Sequence, residues 1–433
     1  MSLRVPRPTT RRLAPGGHTV GYAGLIVFTV LLYLRPNELL PMGTFPIVKI
    51  ITIGVLVAFF SERLRQAGTL SVMPRSFRYL LGLAGFTILS IPFGLDPSAS
   101  FASFMDQFVK ILLIFFLMVN VVTSFRRLRL MMEVTVLSAA MVAVLTLADY
   151  VRGKNLVEGY RAAGALGGMF GNPNDLALAM NVLIPIALGI ALMRRDLLPR
   201  LLFLLCGVLL ALTSVVTYSR AGILTMGAAG AVFLAKLGRR YPAAWVVGAV
   251  LAVGILASSP GRIFTLFTSS AGNMSAAESA SHRWALIQRS MEVAGANPIR
   301  WLFGIGLNNF HIVSTHELVN HNAYLEVFNE VGLPGLIFYL LFLSSVIAIA
   351  GRIARRHRRT RGYRQAWLSA VAIQASLVAY AVGSLFASVA FHWYLYYPAA
   401  FAVCLQQLLA RVEQAPAPKE VTPRVWYLRR AQY

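Results

Sequence analysis

One histidine, three asparagines and two glutamates able to do acid, base or hydrogen-bond chemistry fall between Asn320 and Gly335: His321, Asn320, Asn322, Asn329, Glu326 and Glu330. An imidazole whose unperturbed pKa is near 6.5 suits taking a proton from an attacking hydroxyl, which makes His321 the candidate general base. Glu326 and Glu330 are spaced i, i+4, so on one helix they repel unless a cation or water meets them. A helix beginning near His321 puts Tyr324, Leu325 and Phe328 on the His321 face. Asn322, Glu326 and Glu330 then form a stripe about 100° round. Glu326 is therefore no helical partner of His321, and cations must come from elsewhere in the chain.

A zinc site is excluded by spacing. His316-Glu317-Leu318-Val319-Asn320-His321 imitates the H-E-x-x-H protease motif, but its histidines are five apart. Five residues turn a helix by about 500°, so the two rings cannot face one metal. No metal or other cofactor is expected. Cys206 and Cys404 lie inside apolar runs and read as core residues. Gly304-Ile305-Gly306-Leu307-Asn308-Asn309 is a turn and not a dinucleotide fingerprint, for want of a preceding strand and a third glycine.

The elements that must position these residues are membrane helices. Hydrophobic residues make up 57% of the 433-residue chain and charged residues 13%, which excludes an ordinary soluble domain. The fold expected is all-α and polytopic, with about twelve spans. The first six lie near 21–34, 42–60, 79–95, 105–122, 131–149 and 174–193. The others lie near 201–218, 221–236, 243–258, 335–350, 366–385 and 394–409. Spans one to five occupy 1–150, spans six to nine with a glycine-rich outer loop 151–258, one large outer segment 259–334, and spans ten to twelve with a tail 335–433. No cleavable signal is expected at the arginine-rich start.

Placing alternate connections in the cytoplasm, with both termini there, puts 29 of the 40 Lys and Arg residues on that side, as the positive-inside rule requires. The net charge of +24 is thus mostly topology. Seven scattered basic loops offer no nucleic-acid face. Eleven cations break the rule: Arg35, Lys49, Lys110, Arg152, Lys154, Arg161, Arg220, Arg262, Arg283, Arg289 and Arg300. A cation near the bilayer costs several kcal/mol unless it is paired, snorkels or faces a polar cavity. Lys110 has Asp106 one turn away, whereas Arg220 sits in a tight outer turn, Tyr218–Gly222, between two apolar runs.

Two outer segments are long enough to matter. Residues 150–173 are glycine-rich, carry Arg161, and enter a helix through Asn174 or Asp175, both good N-caps. In the second, 281–296 reads as an amphipathic helix with Trp284, Ile287, Met291 and Ala294 on one stripe, stopped by Asn297-Pro298. A pairing of Glu326 or Glu330 with Arg161, Arg220 or Arg283 is expected. A transporter or flippase of an anionic lipid-linked substrate is the alternative. Against it, the unpaired charges are cationic, Asp96, Asp106, Asp149 and Asp175 lie near span ends, and no inverted repeat is visible.

Four pieces in this order resemble the O-antigen ligase and O-antigen polymerase superfamily of bacterial membrane glycosyltransferases. They are Arg161 with Gly171-Asn172-Pro173-Asn174-Asp175-Leu176-Ala177; Ser219-Arg220-Ala221-Gly222; Arg283-Trp284 leading to Asn297-Pro298 and Phe303-Gly304-Ile305-Gly306; and His321-Asn322-Ala323-Tyr324-Leu325 with Glu330-Val331-Gly332. The first 150 residues and the last 90 match only in hydropathy profile.

The resemblance implies transfer of a glycan from undecaprenyl pyrophosphate to an acceptor hydroxyl, at the periplasmic face of the inner membrane and without a metal. The acceptor it implies is lipid A-core, another lipid-linked repeat, or a protein. Arg220 and Arg283, with Arg161, would then bind the pyrophosphate, since guanidinium matches phosphate bidentately. His321 would act as base or hold the acceptor. Asn174, Asn322, Glu326 and Glu330 would line or orient the site.

Overall fold

The computed structural model describes residues 19–35, 73–238, 274–314, 319–360 and 362–414, with Gly54, Val55, Val57 and Ser61; for 274–283 and Met169 only the backbone is described. The helices in chain order are α1 (Thr19–Leu34), α2 (Arg75–Ser90), α3 (Pro97–Ser103), α4 (Val109–Val121) and α5 (Phe125–Val151). They continue as α6 (Pro173–Met193), α7 (Leu197–Val216), α8 (Arg220–Leu237), α9 (Met274–Gly295) and α10 (Pro298–Phe303). The last are α11 (Phe310–Val313), α12 (Ala323–Arg356), α13 (Arg364–Gly383) and α14 (Trp393–Gln414). A two-residue antiparallel ribbon, β1 (Leu156–Val157) with β2 (Arg161–Ala162), sits between α5 and α6.

Among the described residues eight helices are long and apolar enough to cross a membrane, with α3 and α4 counted as one through the π turn at Phe104–Phe108. Ten of the twelve expected spans coincide with described helices. The one near 243–258 lies outside the described residues, and of the one near 42–60 only Gly54, Val55 and Val57 are described. The helix at 394–409 forms, as α14, but it is not one of the eight. Tyr394, Tyr396 and Tyr397 lower its hydropathy, and every residue from Tyr394 to Leu405 is buried. Protein, not lipid, surrounds it. Two of its tyrosines satisfy their hydroxyls inside, Tyr396 on the Ala390 carbonyl at 2.7 Å and Tyr397 with Thr29 at 2.9 Å, as buried phenols usually do.

Helix starts follow capping chemistry. Asp96 receives Ala99 N–H at 2.9 Å, Ser124 receives Arg127 N–H at 3.2 Å, and Asn297 receives Arg300 N–H at 2.8 Å. Asp96 is held below the usual carboxylate range by that bond and by the Ser98 hydroxyl. At α6 the cap is Asn172, with Pro173 in the first helical position, and neither Asn174 nor Asp175 as expected. Proline at the first helical position needs no N–H, which moves the start back one residue. The helices then pack through small residues, as membrane helices do. Gly189 of α6 lies against Ala372 of α13, and Gly222 of α8 against Ala177 of α6. Lys110 pairs with Asp106 at 2.7 Å, as expected.

Candidate active site

The site has two halves, each built at helix ends. The first starts in the link between α5 and α6. Glu158 and Gly159 take positive φ, +55° and +78°, and turn the chain so that β2 brings back Arg161. The Arg161 side chain is only 15% exposed and uses all three of its nitrogens. Nε donates to the Thr217 carbonyl and Nη1 to Glu158 Oε1, both at 3.1 Å. Nη2 donates to Asn174 Oδ1 at 3.1 Å. That same oxygen accepts the Ser219 hydroxyl at 2.7 Å. Ser219 Oγ in turn accepts the Gly222 N–H at 3.1 Å and so caps α8.

Arg161, Asn174 and Ser219 are thus one cluster that welds the glycine-rich loop to the first turn of α8. Arg220 follows immediately and is half-buried. Among the described residues it has no acidic partner, in contrast to Arg161. Thr217 was not singled out in the sequence, and Ser219 was quoted there only as part of the Ser219–Gly222 piece, without a role. Their signal was the tight turn itself, completed by Tyr218 at φ +51°.

The second half surrounds the start of α12. His321 is half-buried and adopts φ +50°, outside the helix. The expectation that it shares a helical face with Tyr324, Leu325 and Phe328 is therefore corrected. Nor is it the cap. Asn322 Oδ1 accepts the N–H groups of Tyr324 and Leu325 at 2.9 and 3.1 Å. The residue before His321 is anchored too, since buried Asn320 Oδ1 accepts the Ser290 hydroxyl at 2.6 Å. That bond ties α9 to the histidine's base. Arg283 lies on the α9 backbone with its side chain outside the described residues, and His316 of the zinc-like motif is itself outside them.

The expected pairing of the two glutamates with arginine is not found among the described side chains. Glu326 Oε2 accepts the Ala390 N–H at 3.1 Å. The Glu330 carboxylate takes the backbone N–H groups of Asn308 and Phe310. Carboxylates satisfied by main-chain donors need no cation beside them. Backbone contact brings the turn to Glu330: Ile305 N donates to the Asn329 carbonyl at 2.8 Å and Gly306 N to the Glu330 carbonyl at 3.0 Å. The approach is so close that a Cβ on Gly332, at φ +83°, would lie 2.3 Å from the Leu302 carbonyl oxygen. Helix α12 bends there. The motif pieces 303–306 and 330–332 are therefore the two faces of one backbone joint.

The predicted amphipathic helix is α9, but its buried side carries Leu286, Ser290, Val293 and Ala294. Of the expected stripe only Ala294 is buried, whereas Trp284 and Met291 are more than half exposed. Arg289 pairs with Glu292 at 3.1 Å.

Helix α13 joins the halves. Its Gly383 end packs against Thr225 of α8. The next carbonyl, of Ser384, accepts the Ala323 N–H at 2.8 Å, and Tyr324 Oη donates to the Ala381 carbonyl at 2.8 Å. Asp175 and Glu326, from opposite halves, lie in each other's field and in that of Tyr394. Tyr394 Oη is buried without a hydrogen-bond partner. Beside Tyr394, in the connection before α14, is His392. Burial and the Arg35 guanidinium push it down to about 4, so it is neutral near pH 7. His392 and Tyr394 had no sequence signal, because the last 90 residues matched in hydropathy alone.

Bundle and site together define a polytopic helical membrane protein with a polar, arginine-bearing site at its helix ends. No curated protein matches the chain. Residues 201–340 match the family model described as O-antigen ligase, which supports the resemblance to the O-antigen ligase and polymerase superfamily of membrane glycosyltransferases. The matched segment contains Arg220, Arg283, His321, Asn322, Glu326 and Glu330; Arg161 and Asn174 lie before it.

Proposed function

We propose that this chain transfers a glycan from undecaprenyl pyrophosphate to an acceptor hydroxyl, at the outer face of the bacterial inner membrane and without metal or nucleotide sugar. In this reading it spans the membrane twelve times, with both termini in the cytoplasm. The observation that carries the reading is Arg220, half-buried at the first turn of α8 with no acidic partner among the described residues. It also lies inside the segment that matches the family. A guanidinium beside the first amides of a helix suits a pyrophosphate.

Breaking the bond from the anomeric carbon to the phosphate oxygen moves negative charge onto the pyrophosphate, and Arg220, Arg161 and Arg283 offset it. The acceptor oxygen forms the new bond to that carbon while its proton passes to the His321 imidazole. Undecaprenyl pyrophosphate leaves. A single displacement of this kind inverts the anomeric centre. Asn174 sets Arg161, Asn322 sets the backbone at His321, and Glu326 and Glu330 hold the entrance of α12 in place. Lipid A-core is the acceptor we put first and a growing glycan second, because the matching family is described as a ligase.

The test gives purified protein a lipid-linked glycan with lipid A-core, with further lipid-linked repeat, or with peptide. Transfer to one of them is expected, and His321→Ala should abolish it while leaving insertion and thermal unfolding unchanged. Failure with all three acceptors, together with substrate-dependent transport in vesicles, would establish the transporter instead.

A further inference from the structure

The opposite end of α12, about 50 Å along from His321 at 1.5 Å per residue, holds a second polar feature. Between the last turns of α12 and α14 is a cleft of about 630 Å³. Its inner wall is apolar, made by Ile349, Ile353, Leu409 and Ala410. Its rim is basic, carrying Arg352, Arg355 and Arg356 against a single acid, Glu413.

That acid is already engaged. Glu413 Oε2 is 3.2 Å from Arg356 Nη1, and Oε1 is 3.8 Å from His357 Nε2. Arg352 and Arg355 are left with no acidic partner among the described residues. They are one turn apart on the same helix, where like charges destabilise each other. Lys236 of α8 also lies in the field of Arg355 and Arg358, so the surplus is positive on more than one helix. The buried His357 side chain stacks on Tyr363 with ring centroids 4.6 Å apart, and its Nδ1 has no hydrogen-bond partner.

We propose that this cleft binds an anionic phospholipid, the phosphate between Arg352 and Arg355 and an acyl chain along Ile349, Ile353 and Leu409. Basic clefts between spans, at the end that the charge rule assigns to the cytoplasm, recognise such headgroups. Arginine reads a phosphate bidentately where lysine offers a point charge. A free phosphate would leave the apolar wall uncovered. Residues 415–433 are a poor occupant, since Lys419, Arg424, Arg429 and Arg430 outnumber Glu420 and like charge repels.

The experiment is a native mass-spectrometry titration of the full chain in uncharged detergent with phosphatidylglycerol, phosphatidylethanolamine and inorganic phosphate. Phosphatidylglycerol should be retained about tenfold more tightly than phosphatidylethanolamine, and phosphate at equal concentration should not displace it. The double variant Arg352→Gln, Arg355→Gln should erase that preference, whereas Arg300→Gln should leave it. Ala410→Phe, which fills the cleft without changing charge, should lower retention of phosphatidylglycerol in a protein that unfolds at the wild-type temperature. Equal retention of both lipids, displacement by phosphate, or a preference that survives both cleft variants overturns the proposal.

Discussion

The two halves of the site are held by different forces. Around Arg161 the fixing bonds centre on side chains: a guanidinium and a hydroxyl converge on one amide oxygen, Asn174 Oδ1, with one further bond from Arg161 Nε to the Thr217 carbonyl. Around His321, apart from the Ser290–Asn320 bond, they run to or between backbones. Asn322 caps α12, main-chain donors satisfy Glu326 and Glu330, and Gly304 and Gly332 let two chain segments touch. A half built on side chains tolerates changes of backbone freedom but not loss of a polar group. A half built on backbone docking does the reverse.

The largest effect follows from that contrast at glycine. Gly332→Ala places a Cβ against the Leu302 carbonyl at a positive φ, and strain plus overlap should cost more than about 3 kcal/mol. Gly159→Ala also has positive φ but meets nothing within 4 Å, and should cost about 1 kcal/mol. Thermal unfolding in detergent compares them, and equal losses would erase the distinction between the halves. Next, Arg220→Ala should lower transfer about 10²- to 10³-fold, the usual cost of one preorganised charge partner, with the unfolding temperature unchanged. Arg161→Ala should lower both, because Asn174 loses the guanidinium that fixes it. A stable, inactive Arg161 variant would show that this arginine acts on substrate alone.

Asn322→Ala should cost about 1 kcal/mol, the value of a helix cap, and Asn322→Ser should recover most of it. Recovery of stability without recovery of transfer would give the Asn322 amide a direct part in binding. The smallest effect is a pH dependence. The folded pKa of His392 is depressed to about 4 from 6.5, so the unfolded chain takes up its proton more readily. Stability is full above about pH 6.5 and falls as pH drops from there toward 4. His392→Gln should flatten that part of the profile, as followed by unfolding temperature against pH.

Much of this was legible from local pattern. Arg220 in its tight turn, Arg161 in the glycine-rich loop and the entry to α12 within two residues of His321 all follow from apolar run length and capping residues, which depend on neighbours in sequence. The partners of Glu326 and Glu330 were not legible. Surplus arginines suggested ion pairs, but the donors are main-chain N–H groups of Ala390, Asn308 and Phe310, which carry no signature in residue type. His321 was placed on the helix because a histidine before an apolar run looks helical. Its positive φ comes from Asn322 taking the cap and from Asn320 being tied to Ser290, 30 positions away.

By itself, then, the sequence determined that this protein is a bundle of membrane helices, where most of them begin, and which cations depart from the charge rule. Hydrophobic run length, loop charge and capping act over a few residues, so a linear reading suffices. Only the tertiary structure decided which of those cations is tied down and which is left for a ligand. Arg161 meets Asn174 and Thr217 across 13 and 56 positions, and such meetings depend on how α6, α8 and α13 pack, which no local pattern records.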